Sequence, residues 1–158
     1  MKTQLDKPKP YAESQFLEGW MCGTYVVAGV FAIPCETVAL TDIQEALPVL
    51  HSVTQDAKRG WWPRGISGMF LFPFYLGTDF DPKLVEWVQK RHPYRYAVWH
   101  EPVLYDIPRN SAWMRNDYGL YGSAFRPLVL KLHHRVFKAI AEISHHPFPN
   151  FINGQTTQ

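Results

Sequence analysis

Residues 94–106 read YRYAVWHEPVLYD, from Tyr94 to Asp106, and the reading of this stretch decides the fold. Along a strand, successive side chains point to opposite faces. One face then takes Tyr94, Tyr96, Val98, His100, Pro102 and Leu104, and the other Arg95, Ala97, Trp99, Glu101, Val103 and Tyr105. Neither set is wholly apolar or wholly polar. That mixture suits a strand inside a sheet covered on both sides, emerging toward its C-terminal end. His100 and Glu101 lie near that exit and face opposite ways. Strand ends of this kind hold ligand sites in open α/β sheets. They also hold internal bonds, such as a histidine on a carbonyl or a glutamate paired with an arginine, and the stretch favours this structural role.

Working outward, the segments on either side alternate between strand and helix patterns. Gly23 to Ile33, GTYVVAGVFAI, is β-branched and aromatic and reads as a strand. TDIQEALPVLHSVTQDAK follows, with Thr41 and Gln44 at capping-box spacing and Ile43, Leu47, Leu50 and Val53 at helical intervals. Pro48 is expected to kink or divide this helix. ISGMFLFPFYLG is a strand, apolar on both faces, in which Pro73 predicts an edge position or a bulge. Asp81 as N-cap and Pro82 at the first helical position open a short helix that Pro93 ends. After the central stretch, IPRN turns the chain and SAWMRN returns as a short antiparallel strand. From about Pro127 to Ile143, Leu128, Leu132, Val136, Ile140 and Ile143 share one helical face. The expected fold is α/β or α+β: a mixed sheet of about four strands with helices packed on it, in the order β-α-β-α-β-β-α. An extended arm (1–14), one globular domain (15–146) and an irregular tail (147–158) are expected.

The chain of 158 residues fits a single core. Six Trp, eight Tyr and ten Phe make it 15% aromatic. These residues fill cores and are also enriched at interfaces. The net charge of +2 with no sustained basic run argues against nucleic acid as a partner. A local basic patch is nonetheless formed by Lys131, His133, His134, Arg135 and Lys138. The apolar run Trp20 to Ile33, interrupted by glycines and closed by Pro34, is short for a membrane helix. A cytoplasmic location is expected, with Cys22 and Cys35 as buried thiols.

Several chemistries find candidate residues in the sequence. The pairs His133-His134 and His145-His146 tempt toward a metal. Eleven or twelve helical residues separate them by roughly 17 Å, however, and adjacent histidines diverge by about 100°. No metal site and no cofactor are expected, since GxGxxG, GxxxxGKS and GxxxxGKT are also missing from the sequence. EGWMCGTYVVAGVF resembles the segment of papain-like peptidoglycan hydrolases in which a cysteine opens a buried helix. The resemblance implies a thiol hydrolase with Cys22 as nucleophile, His100 or His92 as base and Glu101 or Asp106 as orienting group. Gly23 stands where that family has a small polar residue, and Val26 and Val27 favour strand.

The aromatics favour binding over catalysis. Trp61 and Trp62 sit with Arg59 and Arg64 in a loop bounded by glycines. Trp113, Arg115, Tyr118 and Tyr121 form a second segment of the same character. Trp, Tyr and Arg dominate interface hot spots. The expectation is a small non-enzymatic protein that docks these two loops on another protein, as a toxin-neutralising immunity protein or as a subunit of a larger assembly or homo-oligomer. A thiol hydrolase and a carbohydrate-binding module using Trp61 and Trp62 are the alternatives.

Overall fold

Two β-α-β crossovers set the frame. In the computed structural model, which describes residues 13–21, 24–57, 67–90, 98–118, 125–144 and 150–151, strand β2 (Thr24–Pro34) leads through helix α1 (Leu40–Ala57) into β3 (Ser67–Gly77). Strand β3 leads through α2 (Pro82–Gln89) into β4 (Val98–His100) and β5 (Val103–Asp106). Both units pair their strands in parallel. Parallel neighbours need a crossover, and its hand is right-handed, so two crossovers advancing the same way lay both helices on one face. The chain then reverses through a tight turn in which Asn110 takes the left-handed conformation (φ 48). Strand β6 (Ser111–Trp113) pairs antiparallel with β5. Helix α3 (Arg126–Ser144) follows.

The central run β2-α1-β3-α2-β4/β5-β6-α3 is the expected order. Two further strands widen the sheet. β1 (Glu13–Met21) pairs antiparallel with the outer side of β2, and β7 (Asn150–Phe151) pairs with β6. The sheet therefore has seven strands among the described residues, in the order β1-β2-β3-β5-β6-β7 with β4 also on β3. β7 falls in the expected irregular tail, whereas β1 begins in the last two residues of the expected arm and runs on through residues 15–21, where no strand was expected. ESQFLEGWM lacks a clean period of two, so its pairing is not visible from composition.

Side-chain parity divides the core into two layers. Phe70, Phe72 and Phe74 of β3 share one cluster with Val129, Leu132 and Phe137 of α3. Met69, Leu71 and Tyr75 share the other with Ile43 and Leu50 of α1 and Leu84 and Val88 of α2. The sheet is thus sandwiched, with α1 and α2 below and α3 above. The central stretch obeys the same parity: Trp99, Val103 and Tyr105 belong to the α3 layer and Leu104 to the α1/α2 layer.

Prolines behave differently from expectation in two places. Pro73 sits mid-sheet, flanked by β2 and β4/β5, where an edge or bulge was expected. The registers explain its tolerance. Leu71 pairs with His100 and Phe74 with Val103, so β4 and β5 are one strand in continuous register, and Pro73 and Pro102 lie opposite each other. Glu101 N–H still donates to Leu71 O at 2.8 Å. Pro73, two residues on, faces the same neighbour with no N–H to give, and the ladder lapses there. Pro48 likewise lies inside an unbroken α1. It is exposed, and the carbonyl it deprives of a helical donor belongs to exposed Gln44, at the solvent side of the helix, where that loss costs least.

Helix ends are also resolved. Asp81 Oδ1 accepts from Lys83 N at 2.6 Å, and Pro82 is the first residue of α2, as its sequence predicts. In α1 the Thr41–Gln44 spacing is not the one used. The helix starts earlier, and Asp42 reaches back to accept from Ala39 N at 2.7 Å.

Gly29 of β2 is required by close approach. A Cβ there would lie 2.5 Å from Thr54 Oγ1 of α1 and 2.8 Å from the Phe31 ring. Thr54 is fully buried, so neither neighbour has room to retreat. Replacing Gly29 by Ala is expected to destabilise the fold by about 1–3 kcal/mol through overpacking. Chemical denaturation measures this, and an unchanged midpoint would contradict the α1–β2 packing.

Candidate functional site

Charge enters the α3 layer at the lapse in the ladder. Glu101, the residue before Pro102, is fully buried. Extending the β5–β6 register from Leu104↔Trp113 by two residues sets Arg115 opposite Pro102, beside Glu101. Arg115 is 2% exposed. Its Nη1 lies 3.0 Å from Glu101 Oε1, and its Nη2 donates to the His100 carbonyl at 3.1 Å. Trp99, two residues before Glu101 and on the same face, donates its indole Nε1–H to Oε1. The guanidinium also lies over the Trp99 ring, 5.6 Å from its centroid. Carboxylate, guanidinium and indole therefore close on one another inside an aromatic shell, with Phe70 and Phe125 against Trp99 at 5.4 and 5.5 Å.

The electrostatics follow from enclosure. Burial pushes the Glu101 carboxyl up to about 7, against the Arg115 charge and the Trp99 hydrogen bond, which pull it down. Among the described residues, Glu101 Oε2 and Arg115 Nε have no hydrogen-bond partner. A carboxyl that holds a proton near neutrality beside a fixed cation has the properties of an acid–base group. Enclosed at 0% exposure, it meets no substrate from solution.

A second ionisable group lies in the same layer. His133 of α3 is 1% exposed, with its ring edge-on to Phe72 and Phe74 at 5.7 and 5.8 Å. Burial holds its imidazole down at about 3, so it stays neutral. Neither ring nitrogen has a hydrogen-bond partner among the described residues. Its neighbour His134 is exposed, so the two diverge and do not act on one ion. The basic-patch reading of His133 was mistaken. Val129 and Phe137, four residues to either side, are both buried, and that spacing carries the signal.

The structure separates several residues the sequence grouped together. His100 is half-buried, and its side chain lies on the α1/α2 side by strand parity, away from Glu101, so the two form no dyad. Arg115 and Tyr118 were expected on an adhesive surface, but both are interior, Arg115 on Glu101 and Tyr118 in the α3 cluster. Trp113 is half-buried, edge-on to Phe80 at 6.0 Å. Burying Arg115 neutralises Glu101, which physically explains why this segment turns inward. Cys22, Arg59, Trp61, Trp62, Arg64, His92 and Tyr121 lie outside the described residues. The element that begins at Thr24, just after Cys22, is a strand, so it offers no helix dipole of the kind the hydrolase resemblance implies.

No protein-family model matches this sequence, and neither a curated protein nor a solved structure matches it. The residues themselves therefore carry the functional reading. One described surface bears on it. On α1, Val49 is 44% exposed, and Ala46, Val53 and Ala57, which share its helical stripe, are half-buried. In sequence, α1 is followed by Lys58, Arg59, Trp61, Trp62 and Arg64, which lie outside the described residues. No helix among the described residues is long and apolar enough to cross a membrane.

The pair should respond asymmetrically to substitution. Arg cannot shed its charge, whereas Glu can take a proton. Glu101→Leu strands a buried guanidinium and is expected to cost roughly 3–5 kcal/mol. Arg115→Met is expected to cost less, and the double variant less than Glu101→Leu alone. Urea unfolding of the three proteins tests this order, and equal losses in both single variants would contradict it.

The two buried groups give opposite pH dependences. Glu101 binds its proton more tightly when folded, about 7 against an ordinary 4.5. Its stabilisation is full below about pH 4.5 and is lost as pH rises through about 7. Glu101→Gln should therefore gain on the wild type by roughly 3 kcal/mol across that window. His133 behaves in the reverse sense: its contribution is full above pH 6.5 and is lost as pH falls toward about 3. His133→Leu should flatten the acid limb. Stability measured across pH for both variants checks these signs, and parallel curves for variant and wild type would contradict them.

Proposed function

We propose that this chain is a non-catalytic binding protein that docks on another protein through the loop carrying Arg59, Trp61, Trp62 and Arg64 together with the exposed flank of α1. The observation that supports this reading is exposed Val49 on α1, flanked by Ala46 and Val53, which are partly buried against the core, with the tryptophan pair a few residues further on in sequence. Large rigid aromatics beside arginines supply contact area at low entropic cost. The enclosure of Glu101 against Arg115 supports it further, because the carboxyl that burial raises is engaged inside the protein. A subunit of a larger assembly, or a protein that inhibits its partner by covering it, fits this surface.

Copurification from the native source tests the proposal. Wild type, Trp61→Ala/Trp62→Ala and Val49→Glu are compared at matched stability. The wild type is expected to retain a stoichiometric protein partner, and both variants to lose it by about tenfold or more. Equal recovery of the same partner by all three would remove this face from the account.

A further inference from the structure

We propose that the outer face of α3 is a separate electrostatic docking surface for an acidic protein segment. His133, Val129 and Phe137 turn inward, so the opposite side of the helix carries the exposed residues Lys131, His134, Arg135 and Lys138. At 3.6 residues per turn, Lys131, Arg135 and Lys138 fall within one narrow stripe, over a rise of about 10 Å. The three cations make this stripe locally positive. Glu142 is the only acid in the α3 sequence, and it approaches Lys138 at 3.9 Å at the end of the stripe. No ion pair engages Lys131 or Arg135 among the described residues.

The flanks of the stripe select the kind of partner. Leu130, 39% exposed, borders the cations and offers an apolar contact. A phosphate backbone makes no use of that leucine. A lipid surface needs a broad apolar face to enter it, and this helix has spent its apolar face on the sheet. A segment that mixes Glu or Asp with an apolar residue meets both features. The surface is on the opposite side of the sheet from α1, so its failure and that of the Trp61–Trp62 loop are distinguishable.

The test uses the full chain and a synthetic peptide of repeated glutamate and leucine as probe. Binding is followed by fluorescence anisotropy at rising salt. Lys131→Glu/Arg135→Glu/Lys138→Glu is the variant, since glutamate at exposed helical positions keeps helix propensity. The thermal midpoint controls for folding, with Lys131→Gln/Arg135→Gln/Lys138→Gln as a milder form. The wild type is expected to bind the peptide in a salt-sensitive way, and the reversed variant to lose at least about tenfold at an unchanged midpoint. Loss of affinity graded through the glutamine form supports the same surface if the reversed form fails to fold. No binding by the wild type, or equal binding by the folded variants, overturns the proposal. Tighter binding of duplex DNA or phosphatidylserine vesicles than of the peptide also overturns it.

Discussion

A carboxylate and a guanidinium face each other in the upper layer of this fold, and much of the surrounding structure is arranged to keep them there. Glu101 is delivered by a strand whose ladder lapses at Pro73 and Pro102, and Arg115 by the chain leaving β6. The pair ties these segments together, with the His100 carbonyl and the Trp99 indole closing the remaining sides. Buried pairs of this kind are weak sources of net stability, because desolvation offsets the attraction. What they do enforce is geometry, since either charge left alone in an apolar layer is expensive. Here that geometry is the placement of residues 114–118 under α3.

The same layer holds a neutral histidine, and the two buried groups bias the protein in opposite directions as pH changes. Acid favours a protonated Glu101 and penalises an enclosed His133. The opposing trends overlap in the mildly acidic range, where each moderates the other. Neither group reaches solvent, so their consequence is for stability and packing rather than for chemistry on a substrate. The surfaces proposed for function are the exposed side of α1 with the tryptophan pair that follows it in sequence, and the basic stripe of α3.

Much of the frame was legible because period and parity are strong signals. The alternation of Tyr94 to Asp106 correctly divided Trp99, Val103 and Tyr105 from Leu104, and correctly set His100 and Glu101 on opposite faces. Asp81 and Pro82 marked α2 because capping chemistry is local. Edge strands β1 and β7 were not legible, since pairing partners distant in sequence decide them. Pro73 misled because its tolerance depends on a register visible only when β4 and β5 are seen as one strand. Arg115 and Tyr118 misled for a related reason: composition marks a residue as adhesive but does not say whether the partner is another molecule or the protein's own interior. A glutamate paired with an arginine was foreseen as a type of bond; which arginine was not.

The account depends most on Glu101 being enclosed and held by Arg115. Carbon-detected NMR of the Glu101 side-chain carboxyl, titrated across pH in the folded protein, observes that group alone. A midpoint near 7, moving further up in Arg115→Met, is the predicted result. A midpoint in the ordinary range near 4.5 that ignores the loss of Arg115 would show a solvated carboxylate and contradict the interior described for this protein.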